Sequence, residues 1–115
     1  MRRAAPAVVA DAEQQGASVV ELGPVASKAE LLDALGRALG FPGWVGMNWD
    51  ALADALGDLS WLPPGPKVVV WTGTEALRSA QPAAYRTALE VLQDGAKRSL
   101  VSGRPLTVLL VPAKF

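Results

Sequence analysis

Short apolar runs bounded by glycine or proline occur three times along the chain, at residues 18–22, 67–72 and 105–111. Such runs are typical of strands, because turn-forming residues mark where each one stops. The second run, KVVVWT, is continuously apolar in its middle. This pattern predicts a strand that is covered on both faces of a parallel sheet.

Apolar side chains recur at helical spacing in the segments that separate these runs. Ser27 and Glu30 form a capping-box pattern ahead of a leucine stripe, and Gly40 supplies the stop signal. Asn48 is a favourable N-cap residue, which predicts a second helix from there to about Leu59.

Three further helices are predicted from local signals elsewhere. Thr74 is expected to cap a short turn of helix through Arg78. Pro82 suits the first position of a longer helix, which the pattern ends at Gly95. The alanine-rich residues 4–16 predict a short helix before the first strand, with a glycine as its cap.

Helices that alternate with strands imply a parallel sheet, because parallel strands need long crossover connections. We therefore predict an α/β fold in which a small three-stranded parallel sheet is packed with helices. The 115 residues suffice for one domain, 1–115, that buries about 65% of the surface of the unfolded chain. Half of the residues are hydrophobic, which argues against disorder.

The composition excludes several classes of chemistry. The chain has no cysteine and no histidine, so disulfides, thiol catalysis and imidazole-dependent triads are ruled out. The formal net charge is zero, which favours neither nucleic acid nor an anionic membrane as a partner. No apolar run approaches the roughly 18 residues of a membrane span, and the opening MRRAAPAVVADA becomes acidic too early for a signal peptide. We expect a cytoplasmic protein.

Acidic residues are concentrated in the middle of the chain. Residues 38–66 contain no lysine or arginine, whereas Asp50, Asp54 and Asp58 all lie there at four-residue spacing. On the predicted helix these three carboxylates share one face, opposite the leucines, and repel one another. Two interpretations remain open: a face that is merely solvated, or a face that meets a cationic partner.

The loop before this helix carries an aromatic side chain between two glycines, Gly43 and Gly46. Gly46 permits either a positive φ or the close approach of another backbone. Trp49, beside the apolar side of the helix, is expected to pack in the core. Trp44 is either a core residue or an exposed anchor of a protein interface, where aromatic side chains often dominate the binding energy.

The sequence gives weaker support to a catalytic function or to nucleic-acid binding. Asp50 and Asp54 could hold a divalent cation, but hydrolysis by paired carboxylates needs them across a cleft and not on one helical face. Residues 72–75, TGTE, have one glycine and no lysine, which predicts a structural turn and not a phosphate loop. A solvated edge is favoured over nucleic-acid contact for the late basic residues Lys97, Arg98 and Arg104.

The loop and the acidic helix together also resemble a known family. Residues 41–56, FPGWVGMNWDALADAL, contain the motif P-x-aromatic-x-G-x-N-x-D-A-L-x-D-x-L. This motif is similar to that of the barstar family, whose members are intracellular inhibitors of barnase-type ribonucleases. The agreement extends more loosely from Ser18 to Val111, with strands and helices in the family's order.

The resemblance implies a binding site on the acidic helix and the loop before it. Asp50 and Asp54 match the family's two acidic positions, whose carboxylates resemble substrate phosphates in role and meet basic groups of the ribonuclease. Trp44 matches the family's loop aromatic. Gly46 and Asn48 match its glycine and its asparagine.

Three positions depart from the best-known inhibitor of the family. Val45 stands where that inhibitor has a second loop tyrosine, and Ala53 stands where it has a tryptophan. In our alignment, Arg86 replaces a glutamate that also meets the enzyme.

These observations predict a monomeric, cytoplasmic protein that occludes the active site of an extracellular-type ribonuclease and protects the cell that makes it, as in a toxin–antitoxin pair. The predicted partner-binding residues are Trp44, Val45, Gly46, Asn48, Asp50, Ala53 and Asp54. No catalytic residue, metal or cofactor is expected. The alternative is a binding module of the same fold that recognises a different cationic partner without inhibiting a ribonuclease.

Overall fold

The computed structural model describes residues 16–113, within which one three-stranded sheet is packed with four helices. The strands are β1 (Ser18–Leu22), β2 (Lys67–Thr72) and β3 (Leu106–Val111). The helices are α1 (Lys28–Ala38), α2 (Trp49–Asp58), α3 (Glu75–Ala80) and α4 (Pro82–Ser99). The helix predicted at residues 4–16 lies outside the described residues, apart from its last glycine. In the described part of the chain, every helix is too short or too polar to cross a membrane.

The sheet is parallel throughout, with β2 in the centre and β1 and β3 at its edges. Val69 of β2 lies opposite Val20 on one side and Val108 on the other. Helices connect the strands, as parallel pairing requires. The predicted α/β fold with three parallel strands is therefore confirmed.

The two faces of the sheet bury different side chains of β2. Val69 and Trp71 pack on one face against leucines of the helices, in the main core. Val68 and Val70 lie on the opposite face with side chains of the two edge strands. Because all four side chains are buried, β2 is covered on both faces, as its continuous apolar run predicted.

Local capping signals set the beginnings of three helices as predicted. The Ser27 hydroxyl accepts a hydrogen bond from the Glu30 N–H at 3.1 Å before α1. Asn48 Oδ1 accepts one from the Ala51 N–H at 2.8 Å before α2. Pro82 is the first residue of α4. The two capping hydrogen bonds satisfy backbone N–H groups that have no acceptor inside the helix.

The short helix α3 differs from its prediction. It extends to Ala80 rather than to Arg78, and Thr74 makes no side-chain capping bond. Thr74 already has helical backbone angles, φ −60° and ψ −25°. Thr74 therefore occupies the N-cap position, as predicted, but its side chain does not cap, because a side chain caps best from an extended backbone.

The prediction that the long helix ends at Gly95 is also wrong, because α4 continues to Ser99. Gly95 is buried where α4 meets α2. A Cβ atom built on Gly95 would lie only 2.6 Å from the Cβ of Leu56. The glycine therefore allows two helices to approach closely, and it is not a stop signal.

Candidate functional site

Helix α2 presents its aspartates to solvent, as its pattern predicted. Leu52 and Leu56 are buried on one side, while Asp50, Asp54 and Asp58 are exposed on the other. Asp50 lies in the first turn, where the partial positive charge of the helix N-terminus favours a carboxylate. The exposed side of α2 is thus a row of carboxylates, and its opposite side is anchored in the core.

Asn48 fixes the point at which α2 begins. Its backbone is extended, with φ −148° and ψ 167°, and its side chain accepts the Ala51 N–H. The helix can therefore start immediately after the loop. The residue at which the helix begins sets the directions in which Asp50 and Asp54 point.

Asn48→Ala is expected to lower the free energy of unfolding by about 1 kcal/mol, because the capping bond is lost. The first turn of α2, which carries Asp50, should fray at the same time. Urea unfolding measures the change. Asn48→Ser keeps a capping oxygen and should restore most of the loss, so equal destabilisation by both substitutions would contradict the capping role.

Gly46 makes room for this capping side chain. A Cβ atom on Gly46 would lie 3.0 Å from Asn48 Nδ2 and 3.5 Å from the Cβ of Ala51. Its φ is not in the left-handed region, unlike that of Gly40. Of the two predicted reasons for glycine here, close approach applies, and the neighbour is a side-chain amide instead of a backbone.

Trp44 is held outward by a second tryptophan. Trp44 is 73% exposed, and its ring meets the ring of Trp61 edge to face at 5.9 Å. Trp61 also packs edge to face on Phe41 at 5.7 Å and donates its Nε1–H to the carbonyl of Leu39 at 2.9 Å. Through these contacts Trp61 supports the loop that carries Trp44. Its place in a proline-rich connection did not predict this role.

Two open grooves flank Asp54. The loop groove, about 320 Å³, lies between the loop and α2, and the helix groove, about 430 Å³, lies between α2 and α4. Asp54 borders both grooves and therefore stands on the ridge that separates them. The loop groove is lined by Trp44, Val45, Gly46, Ala51, Asp54, Ala55 and Asp58. The helix groove is lined by Trp49, Asp50, Ala53, Asp54, Glu90, Val91, Asp94 and Arg98.

The predicted binding residues are divided between these two grooves. Trp44, Val45 and Gly46 belong to the loop groove, while Asp50 and Ala53 belong to the helix groove. Their common border is the ridge at Asp54. Asn48 lies at the start of the helix and lines neither groove. The structure therefore brings the predicted residues together on one surface.

The floor of the helix groove is apolar. Ala53 is only 7% exposed there. Trp49 is half-buried against the core, as expected, and the ammonium group of Lys28 lies 5.0 Å from the centre of its ring. The small side chain at residue 53 leaves the groove open where a larger one would fill it.

Helix α4 contributes charges that the sequence did not place at this site. Glu90, Asp94 and Arg98 line the helix groove at four-residue spacing, so they share one face of α4. The four-residue spacing is visible in the sequence, but the sequence does not show that this face of α4 packs beside α2. Arg86, which our alignment singled out, is exposed and lines neither groove.

Arg98 joins the two helices through its ion pair with Asp54, and it also pairs with Asp94 on its own helix. Its Nη1 lies 2.8 Å from Asp54 Oδ1, and its Nη2 lies 2.9 Å from Asp94 Oδ2. The side chains of Arg98 and Asp54 are 51% and 77% exposed, so both ions remain accessible to water. The aspartate row of α2, which has no basic residue nearby in sequence, thus has a counterion from α4.

The side chains that characterise the site are carboxylates and aromatic rings. Within residues 16–113, no cluster of three or more potential metal ligands is present. Asp50 and Asp54 lie side by side on one helix, which is not the geometry of a carboxylate pair that acts across a substrate. Exposed carboxylates in such a row can pair with basic groups of another molecule.

Comparison with known proteins identifies the family. A search of curated proteins finds no significant match. The family model described as Barstar (barnase inhibitor) matches residues 17–111. The matched span includes all the strands and helices of the described chain and both grooves. Members of that family are inhibitors and not enzymes. The chain therefore belongs to the barstar family.

Proposed function

We propose that this protein inhibits a barnase-type secreted ribonuclease by occluding its active site with α2 and the loop before it. The observation that carries the proposal is the ridge, where exposed Asp54 stands between two grooves, one turn after Asp50 and beside exposed Trp44. Membership of a family of barnase inhibitors supports it. The protein is expected to act as a monomer in the cytoplasm of the cell that makes the enzyme.

The chemistry of the ridge suits a phosphate-binding enzyme. A ribonuclease needs basic groups to hold the phosphates of RNA, and carboxylates can pair with the same groups. Asp50 and Asp54 lie about 6 Å apart along the helix axis, so two basic groups can be engaged at once. Charge complementarity of this kind raises the association rate and weakens as salt is added.

Calorimetric titration with a barnase-type ribonuclease at low salt tests the proposal. We expect a one-to-one complex whose affinity falls as the salt concentration rises. Circular dichroism on the same preparation shows whether the protein is folded. A folded protein that gives no binding heat and no change in RNA cleavage would contradict the proposal.

Trp44→Ala is expected to weaken this complex about tenfold while leaving the melting temperature nearly unchanged. The ring is mostly exposed in the free protein, so folding gains little from it, whereas an interface would bury it. Val101→Ala is the matched control, because Val101 is 94% exposed and lines neither groove. Equal losses of affinity in the two variants would contradict a binding role for Trp44.

A second candidate is a binding module of the same fold that recognises another cationic protein. Two observations favour it: the open floor at Ala53 and the ion pair between Arg98 and Asp54. Both change the surface that a ribonuclease would meet. A protein that binds a different basic partner tightly and leaves ribonuclease activity intact would support this candidate over the inhibitor.

A further inference from the structure

Arg98 is placed to compete with a partner's basic groups for the carboxylate of Asp54. Among the described residues, it is the one basic side chain that lines the helix groove, beside the four carboxylates of Asp50, Asp54, Glu90 and Asp94. Its guanidinium lies on Asp54, the carboxylate that borders both grooves. Any cation that a partner presents to Asp54 must therefore share that carboxylate with Arg98 or replace it.

Two features hold Arg98 in this position. Asp94, one turn earlier on α4, pairs with the second guanidinium nitrogen and keeps the side chain extended towards α2. Gly57 leaves space for the aliphatic stem, because a Cβ atom there would lie 2.9 Å from the Cβ of Arg98 and 3.4 Å from its Cδ. The contact thus depends on residues of both helices.

The ion pair is nevertheless open to exchange. Both partners are half or more exposed, and ion pairs in contact with water contribute little to stability. A partner that supplies a better-placed cation and excludes water from the ridge can therefore displace Arg98. A weakly basic surface gains too little from Asp54 to do so.

We propose that Arg98 is a specificity-determining residue: it is an internal counterion that a basic partner must displace from Asp54, so that removing it tightens binding. The inference rests on the proposed function, in which α2 meets the basic groups of a ribonuclease. Arg98 would then favour partners that carry several basic groups. One such group replaces Arg98 on Asp54, while the others meet Asp50 and Glu90.

The test is calorimetric binding of a barnase-type ribonuclease to the wild type, Arg98→Gln and Lys97→Gln in a buffer of near-physiological salt. Arg98→Gln should lower Kd about two- to fivefold, the range expected when a surface ion pair no longer competes. Lys97→Gln removes the same charge from the neighbouring, exposed position and should leave Kd nearly unchanged, because long-range effects are screened. Arg98→Lys should fall between wild type and Arg98→Gln, since an ammonium group cannot bridge both carboxylates in the same planar way.

The Asp54→Asn background separates competition from a general effect of charge. In that background Arg98→Gln should no longer tighten binding, because the contested carboxylate is gone. A gain that persists there, or an Arg98→Gln variant that binds no better than wild type, would overturn the inference. Weaker binding by Arg98→Gln would instead assign Arg98 to a carboxylate of the partner. If neither the wild type nor any variant binds, the proposed function fails and the inference fails with it.

Discussion

Replacing Asp54 with alanine is expected to weaken binding to a barnase-type ribonuclease at least about thirtyfold, the effect of losing roughly 2 kcal/mol at an interface hot spot. Asp54 stands on the ridge between two grooves, so a docked partner surrounds it on both sides. After the substitution, Arg98 keeps only its ion pair with Asp94 on its own helix. Calorimetry or interferometry at fixed salt measures the loss.

Asp58→Ala is the matched control for this substitution. Asp58 lies on the same face of α2, one turn later, and accepts a hydrogen bond from the Ser60 hydroxyl at 2.8 Å. It borders the loop groove only, outside the motif shared with the family. We expect an effect below about threefold, typical of a charge at the rim of an interface. Equal small effects of the two substitutions would refute the assignment of the ridge.

Gly95→Ala is expected to lower the free energy of unfolding by about 2 kcal/mol, although alanine is the better helix former. The added Cβ atom would lie 2.6 Å from the Cβ of Leu56, a distance that requires α2 and α4 to separate. Overpacking of this kind costs about 1 to 3 kcal/mol, which exceeds the gain in helix propensity. Urea unfolding monitored by tryptophan fluorescence measures the change.

Gly36→Ala is the control with the opposite expected sign. Gly36 also lies inside a helix, but its added Cβ would meet Phe41 Cδ2 at an ordinary 3.5 Å. The substitution should therefore raise the free energy of unfolding by about 0.5 to 1 kcal/mol. If both alanines stabilised the protein, the close contact of α2 with α4 would be wrong.

Much of the fold was predictable because the signals are local. The apolar run of β2 specified a central strand, and Ser27, Asn48 and Pro82 marked the beginnings of three helices. Gly95 misled the prediction because glycine serves both as a stop signal and as a point of close approach. Only the packing of one helix on another distinguishes the two uses, and one sequence does not contain that information.

The candidate site was predictable only in part, for a similar reason. Trp44 and the aspartates of α2 lie in one continuous stretch, so periodicity and loop composition located them and their exposure agrees. Trp61 and Arg98 reach the site from other elements of the chain. Their contributions depend on tertiary contacts between segments 17 and 44 residues apart in sequence.

Titration of ribonuclease activity with the folded protein tests the inhibitor role most directly. RNA cleavage by a barnase-type ribonuclease is followed while the protein is added in increments. We predict that cleavage falls in proportion to the amount added and ends at one equivalent, as the proposed occlusion of one active site by each molecule requires. Cleavage that continues unchanged at several-fold excess would contradict the inhibitor role and leave the surface around Asp54 to another partner.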